Sequence, residues 1–493
     1  MPESPFPIAD RAAARKLGAA LRAIAYVEDD VADLLGEDGY RGGPAGVPVQ
    51  ERRLPQTRLG AAIRLLFLQL AAPQRDAERA LGAAGLAALE ATGLAEVRGG
   101  DVVPRGRIVP VGKLLLASDG FSQDTDDPPD YVATYTPTSR LCDFLTPRRR
   151  VERALDVGTG GGIHALLAAR HARRVVATDV NPRALAFAEV NAAMNGFANV
   201  DCRSGSLFEP AGDERFDLIT CNAPFVVSPE RRWAYRDAGF HADGLSERVV
   251  RGAAERLAEG GFATVLVSWV AEDEDDPNEH VLDWVAGSGC DVWVLPVFGS
   301  KPLDHAASWN AHFGGDPRTF GAVLDEWTRY FAELGTSWVS EGAILLHRRP
   351  GAKYTVRIDE VDEEELDPAD AQIRRAFAAR EQLAELRRRA DLLERRVAPA
   401  RALRLEHELA AGGGAPVLRR TLVRLDEGTN PVLESDPRAA EVIGSLNGAG
   451  TLASAVDAVA RAHGLSRDET EKLRRRTLRL AHELLELGAL RFR

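Results

Sequence analysis

Three stretches combine residue types at spacings that could do chemistry. The first is ALDVGTGGGIHALLA, residues 154–168, where an apolar run ends in Asp156, glycines follow at Gly158, Gly160, Gly161 and Gly162, and a helical pattern begins. Glycines at such a turn let backbone approach a ligand and supply N–H groups at a helix N-terminus. The dinucleotide fingerprint G-x-G-x-x-G requires glycine at 163, and Ile163 stands there. No G-x-x-x-x-G-K-[ST] loop occurs in this region, so nicotinamide, flavin and ATP readings all weaken. The second stretch, RVVATD, ends in Asp179, 21 residues after Gly158. An acid there can accept both ribose hydroxyls of a nucleoside. It could also cap the helix that starts at Pro182. The third is FDLITCNAPF, which places Asn222, Ala223, Pro224 and Phe225 at the end of a buried strand.

The elements that must position these residues follow from the pattern around them. From about residue 131, strand-like apolar runs alternate with helical runs: RALDVG, GGIHALLAARHA, RVVATDV, PRALAFAEVNAAMNG, VDCRSG, FDLITC, a helix at about 244–258, and FATVLVSWV. This alternation predicts an α/β fold, a mostly parallel sheet with helices on both faces, and puts all three stretches at strand ends. Later strands are expected in CDVWVLPVFG and GAILLHRR, with a helical segment at about 319–334 between them.

The run D-x-G-x-G-x-G from Asp156 to Gly162 resembles motif I of the class I S-adenosylmethionine-dependent methyltransferases, whose core is Rossmann-like. NAPF resembles the N-P-P-[YF] motif of the HemK-like amino-methyltransferase group. The resemblance covers about 131–350. It implies S-adenosylmethionine as cofactor, held through Asp156, Gly158, Thr159, Gly160, Gly162, Asp179, Val180, Asn181, Ser206, Leu207 and Asn222. It also implies a planar acceptor nitrogen, either a glutamine amide or the exocyclic amine of a base. Such a nitrogen is a weak nucleophile because its lone pair is delocalised. The implied remedy is that the Asn222 side-chain oxygen and the Ala223 carbonyl accept its two N–H bonds and turn the lone pair toward the sulfonium methyl. Pro224 would stiffen this turn and Phe225 would stack on the acceptor.

The chain departs from that pattern twice. Ala223 replaces the first proline, keeping the carbonyl but reducing backbone stiffness. Ser206 stands where an acid often reads the adenine amino group. Asp243, Gly244 and Leu245 resemble a further HemK-type stretch, and YVATYTPTS at 131–139 lies where that family's pre-core hairpin meets the cofactor. No general base is obvious, and none is required, because the nitrogen can lose its proton after transfer. His164 and His241 therefore read as structural. Trp233 and Tyr235 could wall the acceptor pocket or simply pack. The Gly/Pro-rich segment 296–320 reads as a loop able to form a substrate lid.

The flanks are less specific. Helices are expected at 9–36, 57–71, 75–82 and 84–92, followed by β-branched runs that suggest a winged-helix-like N-terminal domain over 1–125. The methyltransferase core is expected over 126–355, with an acidic linker, QDTDDPPD, at 123–130. A charged linker helix is expected over 356–408, and a winged-helix-like domain over 409–493 that resembles PqqD-like, peptide-recognising modules. Thr451 and Ser466 read as helix N-caps. Between 370 and 404 ten arginines face five acidic residues.

The 493 residues carry 62 Lys and Arg against 74 Asp and Glu, a formal charge of -12. Such a balance disfavours non-specific nucleic-acid binding. Four scattered cysteines without a CxxC pair give no zinc site or disulfide framework, consistent with a cytoplasmic protein. No signal-peptide-like or membrane-spanning apolar stretch is present. The leading expectation is N-methylation of a protein or peptide, docked through the C-terminal module. Two alternatives stay open: methylation of an rRNA or tRNA base, suggested by the arginine-rich stretch and Arg148, Arg149 and Arg150, and an inactive protein that only binds the cofactor.

Overall fold

A computed structural model describes residues 6–122, 127–229, 241–351, 354–411 and 416–493. Trp233 and Tyr235, and residues 123–126 of the acidic linker, lie outside the described residues. The chain divides into two compact units. One comprises 1–143, 149–288 and 298–344; the other comprises 144–148, 289–297 and 345–493.

The eight strands of the main sheet are β1 (Val151–Val157), β2 (Ala172–Asp179), β3 (Val200–Ser204), β4 (Phe216–Cys221), β5 (Leu257–Ala271), β6 (Cys290–Ser300), β7 (Trp338–Arg348) and β8 (Val356–Ile358). Their order is β8-β6-β7-β5-β4-β1-β2-β3. Strands β5, β4, β1, β2 and β3 pair in parallel. This is the Rossmann-like α/β core that the alternating pattern predicts. The near-continuous apolar runs of β1, β2 and β4 are what a sheet covered on both faces requires. Strand order reverses at β1, which has β2 on one side and β4 on the other. Ligands bind beside such a reversal, at the carboxyl ends of the strands. In register, Asp156 of β1 lies beside Thr220 of β4 and Ala177 of β2, so all three chemically suggestive stretches end at that edge.

Helix α1 (Ile163–Ala169) follows the glycine turn, α2 (Pro182–Met194) follows β2, and α3 (Gly244–Arg256) precedes β5. The start of α2 is set by Asn181, whose side-chain oxygen accepts the Arg183 N–H at 2.9 Å, with Pro182 in the first turn.

The N-terminal residues of the same unit form helices and two hairpins around a core that includes Leu17, Leu21, Tyr26, Phe67 and Leu89. The single helix expected over 9–36 is two, Arg11–Arg22 and Glu28–Leu35. Ala25 between them has a φ of 55°, and the Glu28 N–H is held by the Gly112 carbonyl at 3.0 Å. A tertiary contact thus breaks a periodicity that runs on in sequence. The helices expected at 75–82 and 84–92 are present as Gln74–Ala91, kinked at Gly82. The hairpins pair 95–98 with 101–104 and 107–111 with 114–118.

Two other expectations are corrected. The segment 296–320 is not a loop. It holds helix Pro302–Trp309, a short turn Ala311–Gly315 and the start of helix Pro317–Glu333. Prolines 302 and 317 fall in the first turn, where the missing N–H costs nothing, and Asp316 caps the second helix through the Arg318 and Thr319 N–H groups. The charged helix expected over 356–408 is limited to Asp370–Ala384. Leu403–Ala410 instead pairs antiparallel with Val417–Leu425. Leu403, Leu405 and Leu409 fall on alternate positions, with His407 at the position between the last two, and Arg404–Asp426 and Glu408–Arg420 form ion pairs across the hairpin. That alternation suits a strand better than a helix.

Within this second unit, helices Pro437–Ser445, Leu452–Ala462 and Arg467–Glu486 pack on the three-stranded sheet around Ile443, Val456 and Leu484. The side chains of Thr451 and Ser466 cap the second and third of these helices, Ser466 in a reciprocal capping box with Glu469.

Candidate active site

The glycine turn is a connected piece of hydrogen bonding. Asp156, fully buried at the end of β1, accepts from Thr159 Oγ1 at 2.6 Å, the Ala165 N–H at 3.0 Å and Thr220 Oγ1 at 2.8 Å. Burial raises its carboxyl to about 6, and these three donors oppose the rise. Asp156 therefore ties β1, the turn, α1 and β4 together. It faces protein, not open space.

Gly158, Gly160 and Gly162 all have positive φ, at 64°, 54° and 88°. A Cβ on Gly158 would stand 3.0 Å from the Ala223 Cβ, so the glycine turn packs directly against the NAPF segment. A Cβ on Gly160 would meet nothing within 4 Å. The N–H groups of the turn are mostly engaged by the protein itself. Thr159 donates to the Thr178 carbonyl at 2.9 Å, Gly162 to the Thr159 carbonyl at 2.8 Å, and Gly160 to Asp179 Oδ2 at 2.9 Å. The turn thus contributes close backbone approach more than a row of open donors.

Asp179, at the end of β2, also accepts the Asn181 N–H on Oδ1 at 2.8 Å. Burial raises its carboxyl above the ordinary range, while backbone N–H groups of Asn181, Gly160 and Val180 pull the other way. Helix α2 is capped by Asn181, so Asp179 is not needed for that task. A carboxylate offers about four lone-pair directions, which leaves room for further donors. Beside it Val180 is an apolar side chain 58% exposed. Ser206 and Leu207 follow β3 and are half-buried. Leu207 is held at a φ of 48°, with its carbonyl taken by Thr178 Oγ1 at 2.8 Å.

Asn222 and Ala223 follow β4, Asn222 half-buried and Ala223 buried. Among the described residues, neither the Asn222 amide nor the Ala223 carbonyl has a hydrogen-bond partner. Pro224 and Phe225 are half-buried. His164 is buried in α1 and His241 is exposed. Asp243, just before α3, ties that point of the chain to β5, its carboxylate accepting from the Val270 N–H at 3.0 Å and lying 2.8 Å from His280 Nε2.

Sequence reasoning passed over a cluster just beyond NAPF. Val227, Ala306, Trp327, Phe331 and Val339 form a small apolar core. In it His305 Nε2 lies 3.3 Å from the Val227 carbonyl, and His305 Nδ1 lies 3.4 Å from Glu341 Oε1. Trp309 Nε1 donates to Glu341 at 2.6 Å. Burial pushes Glu341 up to about 7. These residues are scattered over 227–341 with no local pattern, so only the fold could assemble them. Among the described residues, no cluster of His, Cys, Asp or Glu could hold a metal ion, none of the four cysteines forms a disulfide, and no helix is long and apolar enough to cross a membrane.

The family model of the methyltransferase small domain matches residues 137–276, and a domain of unknown function, DUF7059, matches 23–105. A release factor glutamine methyltransferase of Geobacter sulfurreducens is 40% identical over 127 residues, 22% of this chain and 43% of that protein. One of Cereibacter sphaeroides is 40% identical over 174 residues, 32% of this chain and 59% of its own. A ribosomal protein uL3 glutamine methyltransferase of Bradyrhizobium diazoefficiens is 37% identical over 170 residues, 29% of this chain and 52% of its own. The chain spans about half the length of these curated relatives. With its strand order and its glycine turn at the β1 reversal, the segment 137–276 is a methyltransferase small domain of the class I, HemK-like kind.

Proposed function

We propose that the protein transfers a methyl group from S-adenosylmethionine to a planar amide or amine nitrogen of a protein or peptide. The observation that carries this reading is the pairing of the Asn222 amide and Ala223 carbonyl, which lack a hydrogen-bond partner among the described residues, with the glycine turn packed against Ala223. The residues fit the cofactor. Gly160 leaves open space where a Cβ would stand, and Asp179 keeps acceptor capacity for two ribose hydroxyls. Val180 supplies an exposed apolar face beside it for the base. Asn181, Ser206 and Leu207 complete the rim, and Thr159 and Asp156 brace it from behind.

When bound, S-adenosylmethionine supplies an electrophilic methyl group. The chain's own residues do the rest. Asn222 Oδ1 and the Ala223 carbonyl accept the two N–H bonds of the acceptor and aim its lone pair. Both oxygens also stabilise the positive charge that grows on nitrogen. Pro224 limits the turn and Phe225 stacks on the acceptor plane. The missing first proline matters little to this chemistry, because Ala223 presents the same carbonyl.

A protein acceptor is favoured over a nucleic-acid base by the fate of the arginine-rich stretch. Arg374 pairs with Asp370, Arg375 with Glu427, and Arg388 with Asp391. Arg380 is buried and donates to the Glu486 carbonyl. Arginines spent on internal partners leave fewer for phosphates. The relatives whose names specify a protein glutamine point the same way. The test is incubation of the full chain with methyl-labelled cofactor in cell extract. Label removed by protease and not by ribonuclease is expected, and label removed by ribonuclease would overturn the protein reading.

A further inference from the structure

Among the side chains of the methyltransferase segment that meet the residues before it is Asn191 on α2. It is fully buried. Its Oδ1 accepts the Ala117 N–H at 2.7 Å. Its Nδ2 donates to the Ala117 carbonyl at 2.8 Å and to the Gly161 carbonyl at 2.8 Å. One turn later Asn195 repeats the first half of this pattern. It accepts the Leu115 N–H at 2.9 Å and donates to the Leu115 carbonyl at 2.7 Å. The geometry is a match of periods. Residues four apart on a helix are separated by about 6 Å along its axis, and residues two apart on a strand by about 6.6 Å. The outer edge of strand Leu114–Ser118 thus finds two side-chain amides where a neighbouring strand would otherwise pair.

Asn191 differs from Asn195 in its third bond. The Gly161 carbonyl and the Gly162 N–H belong to one peptide plane. Asn191 holds the carbonyl end, and the Thr159 carbonyl accepts from the N–H end at 2.8 Å. With both ends held, the plane cannot rotate. It lies between Gly160, whose N–H is on Asp179, and Gly162, which has a φ of 88°. Glycines offer no steric resistance of their own to such a rotation, so the turn depends on these bonds for its shape.

We infer that Asn191 is a positioning residue for the cofactor turn, and that it couples hairpin 107–118 of the N-terminal region to cofactor binding. The region before residue 137 is then part of the cofactor site. Asn191 does not touch the cofactor; it acts through the Gly161–Gly162 peptide. A merely structural Asn191 would lower stability and leave affinity alone.

This inference rests on the proposed cofactor, and the experiment separates the two. Asn191→Ser and Asn195→Ala in the full chain remove comparable hairpin bonds, but only the first releases Gly161. Titration calorimetry with S-adenosylmethionine is expected to show a dissociation constant raised about tenfold for Asn191→Ser, the factor expected for a buried hydrogen bond of about 1.4 kcal/mol. Asn195→Ala is expected to stay within about twofold of wild type, although both variants melt earlier. Equal effects of the two variants on affinity, or none from Asn191→Ser, would overturn the coupling. Amide exchange on the cofactor-free protein gives a second readout. Asn191→Ser should speed exchange at Gly162, and Asn195→Ala should not. Failure of wild type to bind the cofactor would refute the proposed function, while the exchange comparison would still decide the role of Asn191. In wild type, reciprocity requires that cofactor also slow exchange at Ala117; an unchanged Ala117 in a protein that binds cofactor would refute the link.

Discussion

Replacing Glu341 with glutamine should make the protein more stable at pH 8 and leave it nearly unchanged at pH 4. Glu341 is largely buried, with its carboxyl raised from 4.5 to about 7 by burial and opposed only by the Trp309 hydrogen bond. A native acid with a raised pKa binds its proton more tightly folded than unfolded. Between about 4.5 and 7 the folded state therefore holds more protons, and stability falls as pH rises through that window. The rise of about 2.5 pH units corresponds to about 3 kcal/mol at roughly 1.4 kcal/mol per unit, reached in full above about pH 8. Glutamine keeps an oxygen for Trp309 Nε1 and cannot ionise, so it carries no such penalty. Asp156 is raised in the same direction, but it is present in both proteins and cancels in the difference. The assay is urea unfolding of both proteins at pH 4, 6 and 8 without cofactor, with the gap read from midpoints at equal slope. The expected gap grows from near zero to about 3 kcal/mol. A variant less stable than wild type at pH 8 would refute the reasoning. It would mean that Glu341 is held as a carboxylate by His305, 3.4 Å away, in an ion pair that glutamine destroys.

Other expectations concern the site itself. Asn222→Ala should abolish labelled methyl transfer while cofactor binding measured by calorimetry stays within about threefold, because Asn222 orients the acceptor lone pair, a positioning effect worth orders of magnitude in rate; retained turnover would mean the acceptor is held elsewhere. Asp179→Ala should raise the cofactor dissociation constant by about one to two orders of magnitude, from loss of charge-assisted bonds worth about 1.5–3 kcal/mol; an unchanged constant rejects the ribose role. Gly158→Val places a branched side chain at a φ of 64° and 3.0 Å from the Ala223 Cβ, so both stability and methyl transfer should fall; a fully active variant would show that the two loops do not need this contact.

The residues proposed to hold a nucleoside and an acceptor nitrogen, with those that brace them, were legible because their chemistry is local. Asp156, the glycines, Asp179 and Asn222 each end or follow a strand, and the alternation of strand and helix brings those ends to one edge of the sheet. Helix starts at Thr451 and Ser466 were equally local, because each cap bonds to a residue three positions on. The break at Ala25, the strand at Leu403–Ala410 and the helix Pro302–Trp309 were not. In each, a partner distant in sequence, or proline placed at a helix start, outweighed the local reading.

Sequence alone thus determined the class of fold and the strand ends at which the proposed site lies. Tertiary structure decided what holds that site in place. Asn191 lies 30 residues beyond Gly161 and 74 beyond Ala117, and Glu341 lies 36 beyond His305. A buried amide or carboxylate looks like any other polar residue in a helix or strand until the chain folds. Its meaning comes from the partners that burial forces it to find, because an unsatisfied buried polar group is too costly to leave.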